Sequence, residues 1–129
     1  MKTYHSNIEK ETLENNFFRK VLFTGSHSQL VVMSLLPGEE IGNEIHENVD
    51  QFFRIEQGQA KIIVNNGEEE FIVGEDEVFI IPAGTWHNVL NIGDKELKLY
   101  TIYSPPNHPD GTIHKDKKEA EEYEKTHHH

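Results

Sequence analysis

Along the 129 residues of the chain, apolar β-prone runs alternate with turn residues. Val21, Leu22 and Phe23 are closed by Gly25-Ser26. Leu30 to Leu36 is closed by Pro37-Gly38, and Phe52 to Ile55 by Gln57-Gly58. Ala60 to Val64 runs into Asn65-Asn66-Gly67, after which Phe71 to Val73 precedes Gly74. Val78 to Ile81 stops at Pro82-Ala83-Gly84, Val89 to Ile92 at Gly93-Asp94, and Leu97 to Tyr103 at Ser104-Pro105-Pro106. Asn-Gly between two such runs is the strongest short-range hairpin signal. Runs recurring roughly every 8 to 12 residues between turn residues predict an all-β sandwich or barrel.

Two segments break the rhythm. Asn7 to Asn16 is polar with sparse apolar residues and reads as a short helix or an irregular arm. Lys115 to Lys125 is charged and rich in helix formers. Asp116 can cap it, with Glu119 three residues on, and Ala120 and Tyr123 form a thin stripe that can lean on the barrel. No internal repeat or low-complexity segment is present. The expectation is one domain, with a barrel core over about 19–103 and a C-terminal loop and helix over about 104–125.

Charge narrows the function classes. With 23 acidic and 12 basic side chains the net charge is −11. Affinity for phosphates rests on clustered Lys and Arg, so nucleic acid and anionic membrane surfaces are disfavoured as partners. Cations, metal ions included, are favoured. The absence of cysteine excludes disulfides, zinc ribbons, iron–sulfur clusters and thiol nucleophiles. Met1 to Lys10 has no apolar core of a signal peptide, and no run approaches the ~20 residues of a membrane-spanning helix. The default expectation is a soluble cytoplasmic protein. Of nine histidines, His127, His128 and His129 read as a purification-tag remnant and are set aside.

Two segments stand out together, Pro37-Gly38 to Gly58 and Pro82-Ala83-Gly84-Thr85-Trp86-His87 to Asn91. They resemble the two motifs of the cupin superfamily, G-x5-H-x-H-x3,4-E-x6-G and G-x5-P-x-G-x2-H-x3-N. Gly38, His46 and Gly58 fall on their positions in the first, and Pro82, Gly84, His87 and Asn91 on theirs in the second. The likeness runs from about Leu30 to Tyr103. Three positions depart from the pattern. Glu44 stands where the first histidine usually is, Gln51 where the glutamate is, and Asp76 where the second motif opens with glycine. Asp tolerates the left-handed backbone that glycine usually supplies there.

The resemblance implies an antiparallel jelly-roll β-barrel with a short N-terminal arm and a C-terminal helix. It also implies one divalent metal ion in the barrel. Residues two apart on a strand share a face, so Glu44 and His46 can both point inward, with Gln51 and His87 arriving from other strands. Glu44, His46, Gln51 and His87 are the expected ligand set. Two histidines and one carboxylate suit iron, manganese, nickel or zinc, and the affinity order does not choose between them. Phe53 and Ile55 share the parity of Gln51 and should line the pocket, while Phe52, Arg54 and Trp86 face away. Asn91 is expected as a brace or a partner of the ligands.

The expected function is a metal-dependent enzyme on a small polar organic molecule, of oxygenase (dioxygenase-like) or isomerase/lyase type. The likeness to phosphomannose isomerases is of the barrel, and no basic residue near the motifs favours a phosphate-bearing substrate. The alternative is a non-catalytic ligand-binding or sensing module. Single cupins of this kind pair as homodimers, which also hides exposed strand edges. His108 and His114, after the last strand, form either a lid or second metal site, or an ordered loop stapling the helix to the barrel.

Overall fold

The computed structural model describes residues 2–126, so the terminal histidine run lies outside the described residues. The described residues form nine strands, of which the first eight follow the predicted rhythm: β1 (Arg19–Thr24), β2 (Gln29–Leu35), β3 (Asp50–Gln57), β4 (Ala60–Val64), β5 (Glu69–Val73), β6 (Val78–Ile81), β7 (His87–Asn91), β8 (Leu97–Ser104) and β9 (Ile113–His114). They form two antiparallel sheets, β6-β3-β8-β2-β1-β9 and β5-β4-β7, which is an all-β jelly-roll arrangement. The Asn65-Asn66-Gly67 signal makes the β4–β5 hairpin, pairing Val64 with Glu69 across a loop in which Asn65, Asn66 and Gly67 all have positive φ.

Strict inside–outside alternation decides what the barrel holds. On β3 the buried residues are Gln51, Phe53 and Ile55, while Phe52 and Arg54 lie between them on the other face. On β8, Leu97, Leu99, Thr101 and Tyr103 are buried. Phe53 stacks on Phe79 with ring centres 4.4 Å apart. Each fully buried aliphatic or aromatic side chain contributes about 1.5–3 kcal/mol, so the interior needs no cross-link.

The polar N-terminal segment resolves as a helix, α1 (Ile8–Glu14), capped by the Asn7 side chain on the Lys10 amide. Seven residues do not make a stable helix in water alone. Packing on β2, β3 and β8 holds it, with Thr12 buried. Lys98 of β8 also reaches up to donate to the Asn15 carbonyl and to Asn16 Oδ1. Burial pushes the Lys98 ammonium below its ordinary value, against the nearby charge of Glu96.

At the other end, α2 (Lys117–Thr126) starts where Asp116 Oδ1 accepts from the Glu119 amide at 2.8 Å. Ala120 is buried, and the Tyr123 ring meets His114, with centres 5.1 Å apart. The short strand β9 was not evident in the sequence. Two residues in a Pro- and Gly-rich segment carry no period, and only pairing of Arg19 with His114 and Lys20 with Ile113 defines it. Asp76 has φ +68°, the left-handed turn expected of it.

Candidate metal centre

Residues 37–49, between β2 and β3, are largely irregular, so Glu44 and His46 do not share a strand as the spacing predicts. What aligns them is a single bridge. The Glu44 amide donates to the His87 carbonyl and the His87 amide to the Glu44 carbonyl, both at 2.9 Å. Residues paired this way put their side chains side by side. His46, two residues on, is pinned by the Gly84 amide donating to its carbonyl at 2.8 Å. The Pro82-Ala83-Gly84 turn therefore positions His46, and the bridge to Glu44 positions His87.

Glu44 Oε1 lies 3.3 Å from His46 Nε2 and 3.7 Å from His87 Nε2. One donor atom from each of the three residues fits within a 4.8 Å group. Burial alone would raise the Glu44 carboxyl. The hydrogen bond with His46, the facing His87 ring, and the charges of His46 and Arg19 outweigh it and hold the group well below the ordinary carboxylate range.

The donor set fits a divalent ion. His87 Nδ1 faces the Thr85 carbonyl at 3.0 Å, and a carbonyl only accepts, so the proton sits on Nδ1. That leaves His87 Nε2 as a lone pair, buried and without a hydrogen-bond partner. A second acceptor fixing the tautomer of a ligating histidine is the usual outer-shell arrangement. Ligand atoms bound to one ion at about 2.1 Å each lie roughly 3–3.5 Å apart, close to the spacings seen.

Gln51 is fully buried on β3. Its Nε2 donates to Thr101 Oγ1 at 3.0 Å, and its Oε1 has no partner. Phe53 presents its edge to the His87 ring at 6.3 Å between centres. Ile55 is buried in the same layer. The Asn91 amide is spent on backbone: Nδ2 donates to the Leu35 and Lys95 carbonyls, and Oδ1 accepts from the Gly93 amide.

A family model described as "Cupin domain" matches residues 31–103. This chain belongs to the cupin family. The uncharacterized protein YrkC of Bacillus subtilis (strain 168) is 50% identical over 123 residues, covering 92% of this chain and 66% of YrkC. The cupin thus spans just under two-thirds of that relative's length. The crystal structure of BH2720 from Bacillus halodurans superposes with a TM-score of 0.92 at 46% identity, covering 94% of this cupin and 95% of that chain. A Klebsiella pneumoniae protein with a double-stranded β-helix domain shares the fold with a TM-score of 0.70 at 19% identity, over 88% and 98% of the two chains.

Two residues of the cupin interior escaped the sequence reading. Tyr103 is buried with its ring edge-on to His46, centres 5.8 Å apart, and its hydroxyl 3.2 Å from His108 Nε2. Its parity with Leu99 and Thr101 on β8 was the available signal. Burial pushes the Tyr103 phenol up, with the Arg19 charge opposing and the Glu44 charge adding to the rise. Arg19, on β1, is only 4% exposed. The following Val21-Leu22-Phe23 run is apolar on both faces, so nothing marked Arg19 as inward. Its presence corrects the expectation that no basic residue approaches the site, whereas Arg54 does face out, paired with Glu56 and Asp76. His114 meets Arg19 Nη1 at 3.1 Å and His108 meets Tyr103, so these histidines tie the C-terminal segment to the barrel.

Proposed function

We propose that this cupin is a metal-dependent enzyme. It holds one divalent transition-metal ion on Glu44, His46 and His87 and acts on a small polar organic molecule by oxygenase or isomerase/lyase chemistry. The observation that carries the reading is the buried, unpartnered His87 Nε2 beside the Glu44 carboxylate. Such an ion, when bound, supplies Lewis-acid polarisation and a template for substrate oxygens.

The protein's own groups do the rest. Thr85 keeps the proton on His87 Nδ1, and the edge of Phe53 limits rotation of the His87 ring. Glu44 stays ionised and supplies the one negative charge of the donor set. Tyr103 keeps its proton and remains a donor.

Metal analysis of a chain ending at Thr126, chelator-washed and reloaded, tests this. One equivalent is expected in the wild type and none in His46→Ala or His87→Ala. Full retention in both variants would remove the assignment.

A binding or sensing role without turnover is the second reading, and the buried free Oε1 of Gln51 favours it, because a fourth protein ligand would close the coordination sphere. Water-proton relaxation of the Mn(II)-loaded protein separates the two. Exchanging bound water supports the enzyme, and its absence supports the closed site.

We also propose that the working form is a cytoplasmic homodimer. The outer face of the larger sheet carries a row, Ile80-Phe52-Ile102-Leu30, across four strands in register. Ile80 and Val78 are 61% and 51% exposed at its edge. On a chain of net charge −11, this charge-poor strip is where a second copy can approach without repulsion.

A further inference from the structure

Arg19 is an anomaly. A guanidinium carries five N–H donors and is almost never fully buried unless paired with an anion. Here it is 4% exposed and has no carboxylate partner within ion-pair distance among the described residues. Nη1 is spent on the neutral acceptor His114 Nδ1, and Nε has no partner at all. The Phe18 ring backs the guanidinium with its centre 5.4 Å away, which fixes the plane but satisfies no donor.

Its position relates it to the metal centre. The Arg19 charge acts on both Glu44 and Tyr103. Arg19 and Glu44 line one cavity of about 350 Å³, walled by Phe18, Ile41 and Ala120, with Lys117, Lys125, Glu121 and Glu124 of α2 adding two charges of each sign around it. Charge then decides what the cavity takes. A divalent ion and Arg19 bring three positive charges against the single negative charge of Glu44. The imbalance is costly in a buried site unless an anion enters with it.

We propose that Arg19, with the Tyr103 hydroxyl beside it, receives a carboxylate of the substrate while another oxygen of the same molecule lies at the Glu44–His46–His87 donors. The substrate class is then a small 2-hydroxy, 2-oxo or dicarboxylic acid. The planar fork of arginine matches the two oxygens of a carboxylate. Lys117 Nζ, on the same cavity, donates to the Ile41 carbonyl at 3.2 Å, and titration with both anions decides between a carboxylate and a phosphate. This inference rests on the metal-site reading for the second oxygen, but the carboxylate seat, Arg19 with Tyr103, does not depend on the metal.

The test is an NMR titration of ¹⁵N-labelled protein ending at Thr126, metal-free and Zn(II)-loaded, with lactate, lactamide, malonate and inorganic phosphate. Lactate and malonate are expected to shift the Arg19 Nε–H resonance and to bind at least tenfold more tightly than lactamide and phosphate. Arg19→Gln should lose that preference while keeping its metal equivalent, and Arg19→Lys should recover part of it. Equal binding of acid and amide, preference for phosphate, or an Arg19→Gln variant that binds carboxylates like the wild type each overturns the proposal. If Arg19→Gln does not fold, an Arg19 Nε–H signal unmoved by malonate in the wild type overturns it instead. A wild type that takes no metal defeats the metal-site reading, and the acid-over-amide preference of the metal-free protein still decides this one.

Discussion

Glu44 combines an unusual residue type with the charge that the donor cluster needs. Its residue type departs from the family pattern, yet its carboxylate is the one acid in the donor cluster. Glu44→Gln should weaken Zn(II) affinity at least tenfold, read by competition with a chromogenic chelator, because the amide supplies no charge to the ion. The same substitution has a pH consequence in the metal-free protein. The folded-state pKa of Glu44 lies below its ordinary value of 4.5, so its stabilisation is full above that value and is lost as the pH falls toward the folded pKa. Acid unfolding of Glu44→Gln should therefore be flatter below about pH 4.5 than that of the wild type. At this scale the sequence was readable where a spacing is fixed by a turn, as for His46, His87 and Asp76. It was silent on Arg19 and Tyr103, whose roles come from what faces them across the barrel. It also could not say that the Asn91 amide would be consumed by the Leu35 and Lys95 carbonyls.

Among the elements, the turn between β3 and β4 is the most constrained. Gly58 has φ +95°, and a Cβ there would stand 3.2 Å from the Glu96 carbonyl and 3.3 Å from Leu97 Cα. Both contacts are backbone and neither can rotate away. Gly58→Ala should destabilise the fold by roughly 1–3 kcal/mol, seen as a lower midpoint of denaturant unfolding with an unchanged slope. Strand positions were legible because apolar runs and turn residues punctuate each other. The α1 alternative stayed open because its stability comes from Lys98 and the sheet beneath rather than from its own residues. The segment holding Glu44 and His46 defeated strand-based reasoning, although its outcome matched. A lone bridge to His87 does the work of a strand.

The whole molecule divides its polar and apolar surfaces unevenly. If the Ile80–Leu30 row is the dimer face, Ile80→Glu should weaken self-association more than tenfold in sedimentation equilibrium while leaving metal content unchanged. An unaltered dimer would place the contact elsewhere. The segments before and after the main strands meet where β1 pairs with β9, joining Arg19 to His114. Both residues lie outside the 31–103 segment that defines the family, as does α2. If Arg19 seats the substrate carboxylate and Glu44, His46 and His87 hold a metal, then part of ligand choice and the metal donors lie in separable stretches of the chain. Exchanging residues 17–24 together with 105–126 between barrels of this kind should transplant substrate preference onto an untouched metal centre. Descent within the family could then alter diet without altering reactivity.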